Sequence, residues 1–222
     1  MGAPTMTIDN HRSGGLHVSP PVLTAGTPLD QAEKAMVLVH GRGGTAGDIL
    51  SLTSVLENTD IAYLAPQADG NTWYPYSFLA PIANNEPHLS QSLDTIRLAL
   101  ERLAEAGIPP ERTALLGFSQ GACLVLEFAA RNARRYGGIF GLSGGLIGPN
   151  GTPRDYAGSL EGTPVFLGCG DVDPHIPQER VIHSSEILQQ LGAKVTMRIY
   201  PGMGHTVNED ELALVRESLA RL

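Results

Sequence analysis

The stretch from Thr113 to Ala130, TALLGFSQGACLVLEFAA, changes its hydrophobic period at a serine set among glycines, and that change leaves few local folds open. Ala114 to Phe118 is a short apolar run bounded by turn residues and reads as a buried strand. Gly121 to Ala130, rich in Leu and Ala, reads as a helix. Ser119 must then occupy a tight strand-to-helix turn. Gly117 and Gly121 suit it because bulk two residues to either side would clash with closely packed backbone. The turn holds the hydroxyl above the sheet edge and aims the N–H of Gln120 at the same spot, where a helix start leaves donors unpaired and favours negative charge.

The pattern alone is weak in a chain with 26 glycines, and a second copy stands at Gly141-Leu142-Ser143-Gly144-Gly145. That copy also follows a strand-like run. What comes next differs, because Gly144, Gly145, Gly148, Pro149 and Gly151 forbid a regular helix. Ser143 therefore reads as a loop residue at a strand end.

Strands and helices alternate along the rest of the chain. Leu16 to Leu23 reads as an edge strand, because Pro20 and Pro21 exclude a central one. Met36 to His40 and Ile61 to Ala65 read as buried strands. Thr45 with Asp48 forms a capping box opening a helix through about Glu57. Leu89, Leu93, Ile96, Leu100 and Leu103 mark one face of a helix that runs to Ala106 and stops at Gly107 and Pro109. Strands follow at Gly138 to Leu142, Pro164 to Gly168 and Lys194 to Tyr200. One helix spans Gln178 to Leu191, and a last one runs from the capping box at Asn208 and Glu211 to Leu222. The pattern predicts an α/β fold: a mostly parallel sheet with helices on both faces and right-handed crossovers, with no large lid domain. Residues 1–14 lack periodicity and are expected to be a disordered leader, and residues 15–222 a single domain.

Composition narrows the function. The 222 residues carry a net charge of −8 and contain no basic run, which argues against a nucleic-acid groove or an anionic membrane surface as the main partner. No stretch of 18 uninterrupted apolar residues occurs, so stable membrane insertion is not expected and a cytoplasmic location is. The two cysteines, Cys123 and Cys169, lack metal-ligand spacing and read as buried free thiols. Neither a metal nor an organic cofactor is implied.

In parallel sheets, ligands sit beyond the carboxyl ends of the strands. Gly41 to Gly44, Ser119, Asp171 with Asp173, and His205 all follow predicted strands directly. The loop Gly41-Arg42-Gly43-Gly44 lacks the Lys-Ser/Thr of a phosphate-binding loop and only nearly matches a dinucleotide fingerprint. Its glycines fit better with an oxyanion hole, in which the backbone N–H of Arg42 joins that of Gln120. A serine hydroxyl needs a base, which His205 supplies, and the base needs a carboxylate to fix its tautomer, for which Asp171 and Asp173 are both placed. The order serine, acid, histidine is that of an α/β-hydrolase. His40 is expected to brace the loop by hydrogen bonding, and His175 and His183 to be solvated. The long segment 66–88 holds Trp73, Tyr74, Tyr76 and Phe78 and suits the wall of an apolar pocket. The substrate pocket is expected at Trp73, Tyr74, Phe78 and Leu146.

Taken together, VLVHGRGG, GFSQGA, GDVDPHIP and YPGMGH resemble the phospholipase/carboxylesterase family of α/β-hydrolases, which includes acyl-protein thioesterases. The resemblance covers Met36 to Leu222. It implies that Asp173, directly before Pro174, is the acid, with Asp171 in support. It further implies hydrolysis of a small-molecule carboxylic ester or thioester, in many members by a homodimer. The expectation is a serine carboxylesterase for short to medium acyl esters. A lysophospholipase or acyl-thioesterase is the second reading, a dienelactone-hydrolase-like activity the third, and a binding module without turnover the reading from another class.

Overall fold

The computed structural model describes residues 7–9, 21–56 and 60–222. Its strands are β1 (Thr7–Asp9), β2 (Val22–Gly26), β3 (Lys34–Val39), β4 (Ile61–Pro66), β5 (Thr113–Phe118), β6 (Gly138–Leu142), β7 (Pro164–Gly170) and β8 (Lys194–Tyr200). They form one sheet in the order β1-β2-β4-β3-β5-β6-β7-β8. From β4 to β8 every pairing is parallel, while β2 runs antiparallel to both β1 and β4.

The helices are α1 (Ala46–Leu50), α2 (Thr53–Leu56), α3 (Ile82–Asn85), α4 (His88–Glu105), α5 (Gln120–Arg131), α6 (Gln178–Gln190) and α7 (Glu209–Leu219). They divide between the two faces of the sheet, and the strands show why. In β3, Ala35, Val37 and Val39 join the apolar cluster under α4, α5 and α6, whereas Met36 and Leu38 join the one under α1, α2 and α7. Successive strand side chains point to opposite faces, so a strand covered on both must be apolar throughout.

The sequence expectations depart from this architecture at the margins. The strand placed at Leu16 to Leu23 lies at Val22–Gly26, starting just after Pro21, which has no N–H to give a ladder; residues 16–20 fall outside the described residues. β2 is also not the edge, because β1 covers it. Thr7–Asp9 thus form a strand within the stretch read as a leader, and the other residues of 1–14 fall outside the described residues. The single helix expected after Thr45 is two short ones, α1 and α2, with the capping box present at the first. The last helix stops at Leu219, and segment 66–88 holds α3. No helix among the described residues is long and apolar enough to cross a membrane.

Candidate active site

The site lies past the carboxyl ends of β3, β5 and β7 and the loop after β8. Ser119 joins β5 to α5 with φ 56 and ψ −120, a conformation that L-residues rarely adopt. The neighbouring glycines make it feasible. A Cβ at Gly117 would overlap the backbone of Gly121 and Ala122, and one at Gly121 would overlap the carbonyls of Val39 and His40. Any other residue at either position would push the elbow off β3 and α5.

His205 Nε2 lies 2.8 Å from Ser119 Oγ, and its Nδ1 lies 2.7 Å from Asp173 Oδ2. A carboxylate can only accept from the ring, so Nδ1 carries the proton and Nε2 is left to accept from the serine hydroxyl. The other Asp173 oxygen accepts the N–H groups of His175 at 2.8 Å and Ile176 at 3.0 Å. Burial pushes the Asp173 carboxyl up, but the His205 ring and these two N–H groups outweigh it and hold it below the usual carboxylate range. Asp171 plays a different part, accepting the Gly202 N–H at 2.7 Å and so tying the loop that leads to His205. The ring of His205 is sandwiched: Phe118 lies at 5.0 Å on one side, and His175 meets it edge-on at 4.8 Å.

The loop after β3 packs against the elbow; a Cβ on Gly41 would lie 3.2 Å from that of Ser119. Its hydrogen bonds occupy the N–H groups of Gly43 and Gly44 and pass over that of Arg42. The Gln120 N–H opens α5, one of the donors a helix start leaves without an intrahelical partner. Two such donors flanking a serine can hold a developing oxyanion. His40 braces the loop from beneath: its Nδ1–H donates to the Gly41 carbonyl at 2.7 Å and its Nε2 accepts the Ala68 N–H at 3.1 Å. Burial lowers its pKa, against the opposing pull of that carbonyl, and favours the neutral ring that can do both.

The aromatic segment is irregular, with Trp73, Tyr74 and Phe78 buried and Pro75 to Ser77 exposed, and side chains partner much of its backbone. Gln120 takes the Trp73 N–H at 3.0 Å and gives its amide to the Tyr74 carbonyl at 2.8 Å. Ser92 donates to the Trp73 carbonyl, and Asn85 bridges Tyr76 and Ser77. The Arg42 guanidinium holds the carbonyls of Tyr74, Pro75 and Tyr76.

Between these parts is a cavity of about 410 Å³, lined on its inner side by Ser119, Gln120, Cys123 and His205. Of the four residues expected to form the pocket, Tyr74 and Phe78 line it and Trp73 and Leu146 do not. Trp73 is buried with its indole N–H on the His40 carbonyl, supporting the wall from behind. Leu146 is buried in the core beside α6, its N–H on Ser184. His175 is exposed, as expected, and also reaches the cavity, together with Ile176 and Tyr76. Only its place two residues after Asp173 hinted at this. His183 is exposed as expected. A smaller apolar cavity of about 270 Å³, lined by Ile49, Leu52, Phe118 and Val207, adjoins on the other side of Arg42.

Ser143 is fully buried at the end of β6, with no helix following it, as the second glycine-serine copy implied. Cys123 and Cys169 are free and buried. Among the described residues no three His, Cys, Asp or Glu side chains converge as metal ligands would.

Comparison with known proteins places the chain among hydrolases. A family model described as phospholipase/carboxylesterase matches residues 24–222. A phospholipase/carboxylesterase structure from Dyadobacter fermentans is 46% identical, covering 90% of this chain and 95% of its own, with a TM-score of 0.87. The structure of esterase PE8 is 26% identical over 89% and 96% of the two chains, with a TM-score of 0.74. A protein named acyl-protein thioesterase 1 from Candida albicans is 31% identical over 82% of this chain and 89% of that one.

Proposed function

The chain belongs to the phospholipase/carboxylesterase family of hydrolases, and from that premise we propose that it hydrolyses short to medium acyl esters through Ser119, His205 and Asp173. The observation that carries this reading is the 2.8 Å approach of His205 Nε2 to the hydroxyl of a serine held at φ 56. Ser119 Oγ attacks the ester carbonyl as its proton passes to His205 Nε2. The N–H groups of Arg42 and Gln120 receive the oxyanion, an interaction worth about 3 kcal/mol of barrier per donor. Asp173 keeps the ring in the required tautomer and offsets the charge it gains. The tetrahedral species collapses with the alkoxide taking the proton from His205, leaving an acyl-serine. Water then enters with His205 again as base and releases the acid.

Cavities of about 410 and 270 Å³ on either side of Arg42 suit modest groups on each side of the carbonyl. The net charge of −8 fits a small-molecule substrate rather than nucleic acid. The test pairs Ser119→Ala with a fluorophosphonate. The parent is expected to be labelled at Ser119 and to cleave butyrate and hexanoate esters, and the variant to do neither. A parent that resists labelling would point to a binding module instead. The second reading, a thioesterase, draws on the acyl-protein thioesterase named among the relatives; a matched oxyester and thioester series, extended in chain length, separates the two.

A further inference from the structure

Arg42 carries two separate features of the site. Its backbone belongs to the loop against Ser119, while its guanidinium is held on the main chain of Tyr74, Pro75 and Tyr76, three residues that line the same cavity. Three of its N–H donors are spent on main-chain carbonyls, those of Tyr74 at 2.9 Å, Pro75 at 3.0 Å and Tyr76 at 2.8 Å. A guanidinium has five, so two are left, and the fork is already fixed in place. Six other arginines, Arg97, Arg131, Arg154, Arg198, Arg216 and Arg221, meet carboxylates, while Arg112, Arg135 and Arg180 hold main-chain carbonyls away from the Ser119 cavity. Arg42 meets none among the described residues, and no Asp or Glu lines the Ser119 cavity. The ionisable side chains on that wall besides Arg42 are Tyr74, Tyr76, Cys123, His175 and His205, none of which is an acid of the carboxylic kind. In a chain with 23 acidic residues and 15 lysines and arginines, the cavity at the reactive serine therefore presents a held, unmatched cation.

Resting on the hydrolase reading above, we propose that Arg42 is a specificity residue for a carboxylate on the substrate. The preferred substrates are esters with a second, ionised acid group a few bonds from the scissile carbonyl, such as half-esters of small dicarboxylic acids. The spacing follows from the residue itself, since the oxyanion donor and the guanidinium are separated by one arginine side chain. A carboxylate there receives the remaining two donors as charge-assisted hydrogen bonds.

The experiment compares kcat/KM for the monoethyl ester of glutaric acid and for ethyl valerate, its uncharged counterpart, on the full chain and on Arg42→Gln and Arg42→Lys. The parent is expected to prefer the half-ester by about 10- to 100-fold, mainly through KM. The preference should shrink with added salt, because the guanidinium is exposed. Arg42→Gln should erase the preference, and Arg42→Lys, which keeps the charge but has three donors and no planar fork, should retain part of it. Glutarate, tested as a competitive inhibitor, should follow the same order across the three proteins. Equal rates on the two esters in the parent would overturn the proposal. So would an unchanged ratio in Arg42→Gln, or equal losses on both esters in both variants, which would mark the guanidinium as a brace for residues 74–76 alone. If no ester of either kind is cleaved and Ser119 resists a fluorophosphonate, the hydrolase reading itself is what fails.

Discussion

The indole N–H of Trp73 donates to the His40 carbonyl at 2.8 Å, and the two rings lie 4.9 Å apart. This contact joins the aromatic wall to the loop that presents the Arg42 N–H. The two walls of the site therefore hold each other rather than resting separately on the sheet.

Trp73→Phe removes that hydrogen bond and keeps most of the packing. A displacement of about 1 Å in an oxyanion donor costs on the order of 100-fold in rate. The variant is expected to lose about 10- to 100-fold in kcat with little change in KM, read from steady-state kinetics on a butyrate ester. An unchanged kcat would show that the loop holds its position without the indole.

Gly121→Ala tests the elbow. The added methyl would overlap the carbonyl oxygens of Val39 and His40, which are backbone atoms that cannot swing away. Overpacking of this kind costs about 1–3 kcal/mol, so the denaturation midpoint should fall while activity is lost more completely than stability. A variant as stable and as active as the parent would contradict the close approach of α5 to β3.

Glu211 supplies a pH dependence of stability. It is fully buried in α7, with one carboxyl oxygen on the Asn208 N–H and the other without a hydrogen-bond partner. Burial, with the Asp210 charge adding to it and the Asn208 N–H opposing, pushes its pKa from 4.5 up to about 7. Between those two values the folded chain keeps a proton that the unfolded chain has released, so the contribution of this group falls as pH rises through that window. Glu211→Gln removes the dependence and keeps the acceptor for Asn208. Its melting temperature relative to the parent should rise from pH 5 to pH 8, by an amount equivalent to roughly 2 kcal/mol. A difference that stays flat across that range would refute the assignment.

The two thiols should be silent in the folded protein. Burial, first among the causes at each, pushes both Cys123 and Cys169 up to about 12, and the Asp173 charge adds to it at Cys169. The nucleophile is the thiolate. Iodoacetamide at pH 8 is expected to leave both unmodified in the native state and to alkylate both in denaturant, as mass spectrometry would show. Modification of either cysteine in the native state would place its side chain nearer solvent than the fold allows.

The sequence by itself determined the sheet and the identity of the three residues that meet over it. Strands such as the run from Met36 to Val39 are apolar at every position because both faces are covered, and helices such as α4 show their buried stripe at intervals of three and four. Gly117, Gly121 and Ser119 are local necessities of one turn and His205 follows a strand, so short-range chemistry suffices to find them; it left Asp171 and Asp173 both open, and the family resemblance singled out Asp173. Only the tertiary structure decided which parts of the long segment 66–88 face Ser119. That segment has no period, and its backbone partners come from Arg42, Asn85, Ser92 and Gln120, each remote in sequence. Trp73 and Leu146 look in sequence like pocket walls, but Trp73 lies behind the wall and Leu146 in the core, while His175 and Arg42 line the cavity with no periodicity to announce it. Periodicity reports burial. Which buried or half-buried surface looks onto a cavity depends on contacts between distant segments, and no local pattern records those.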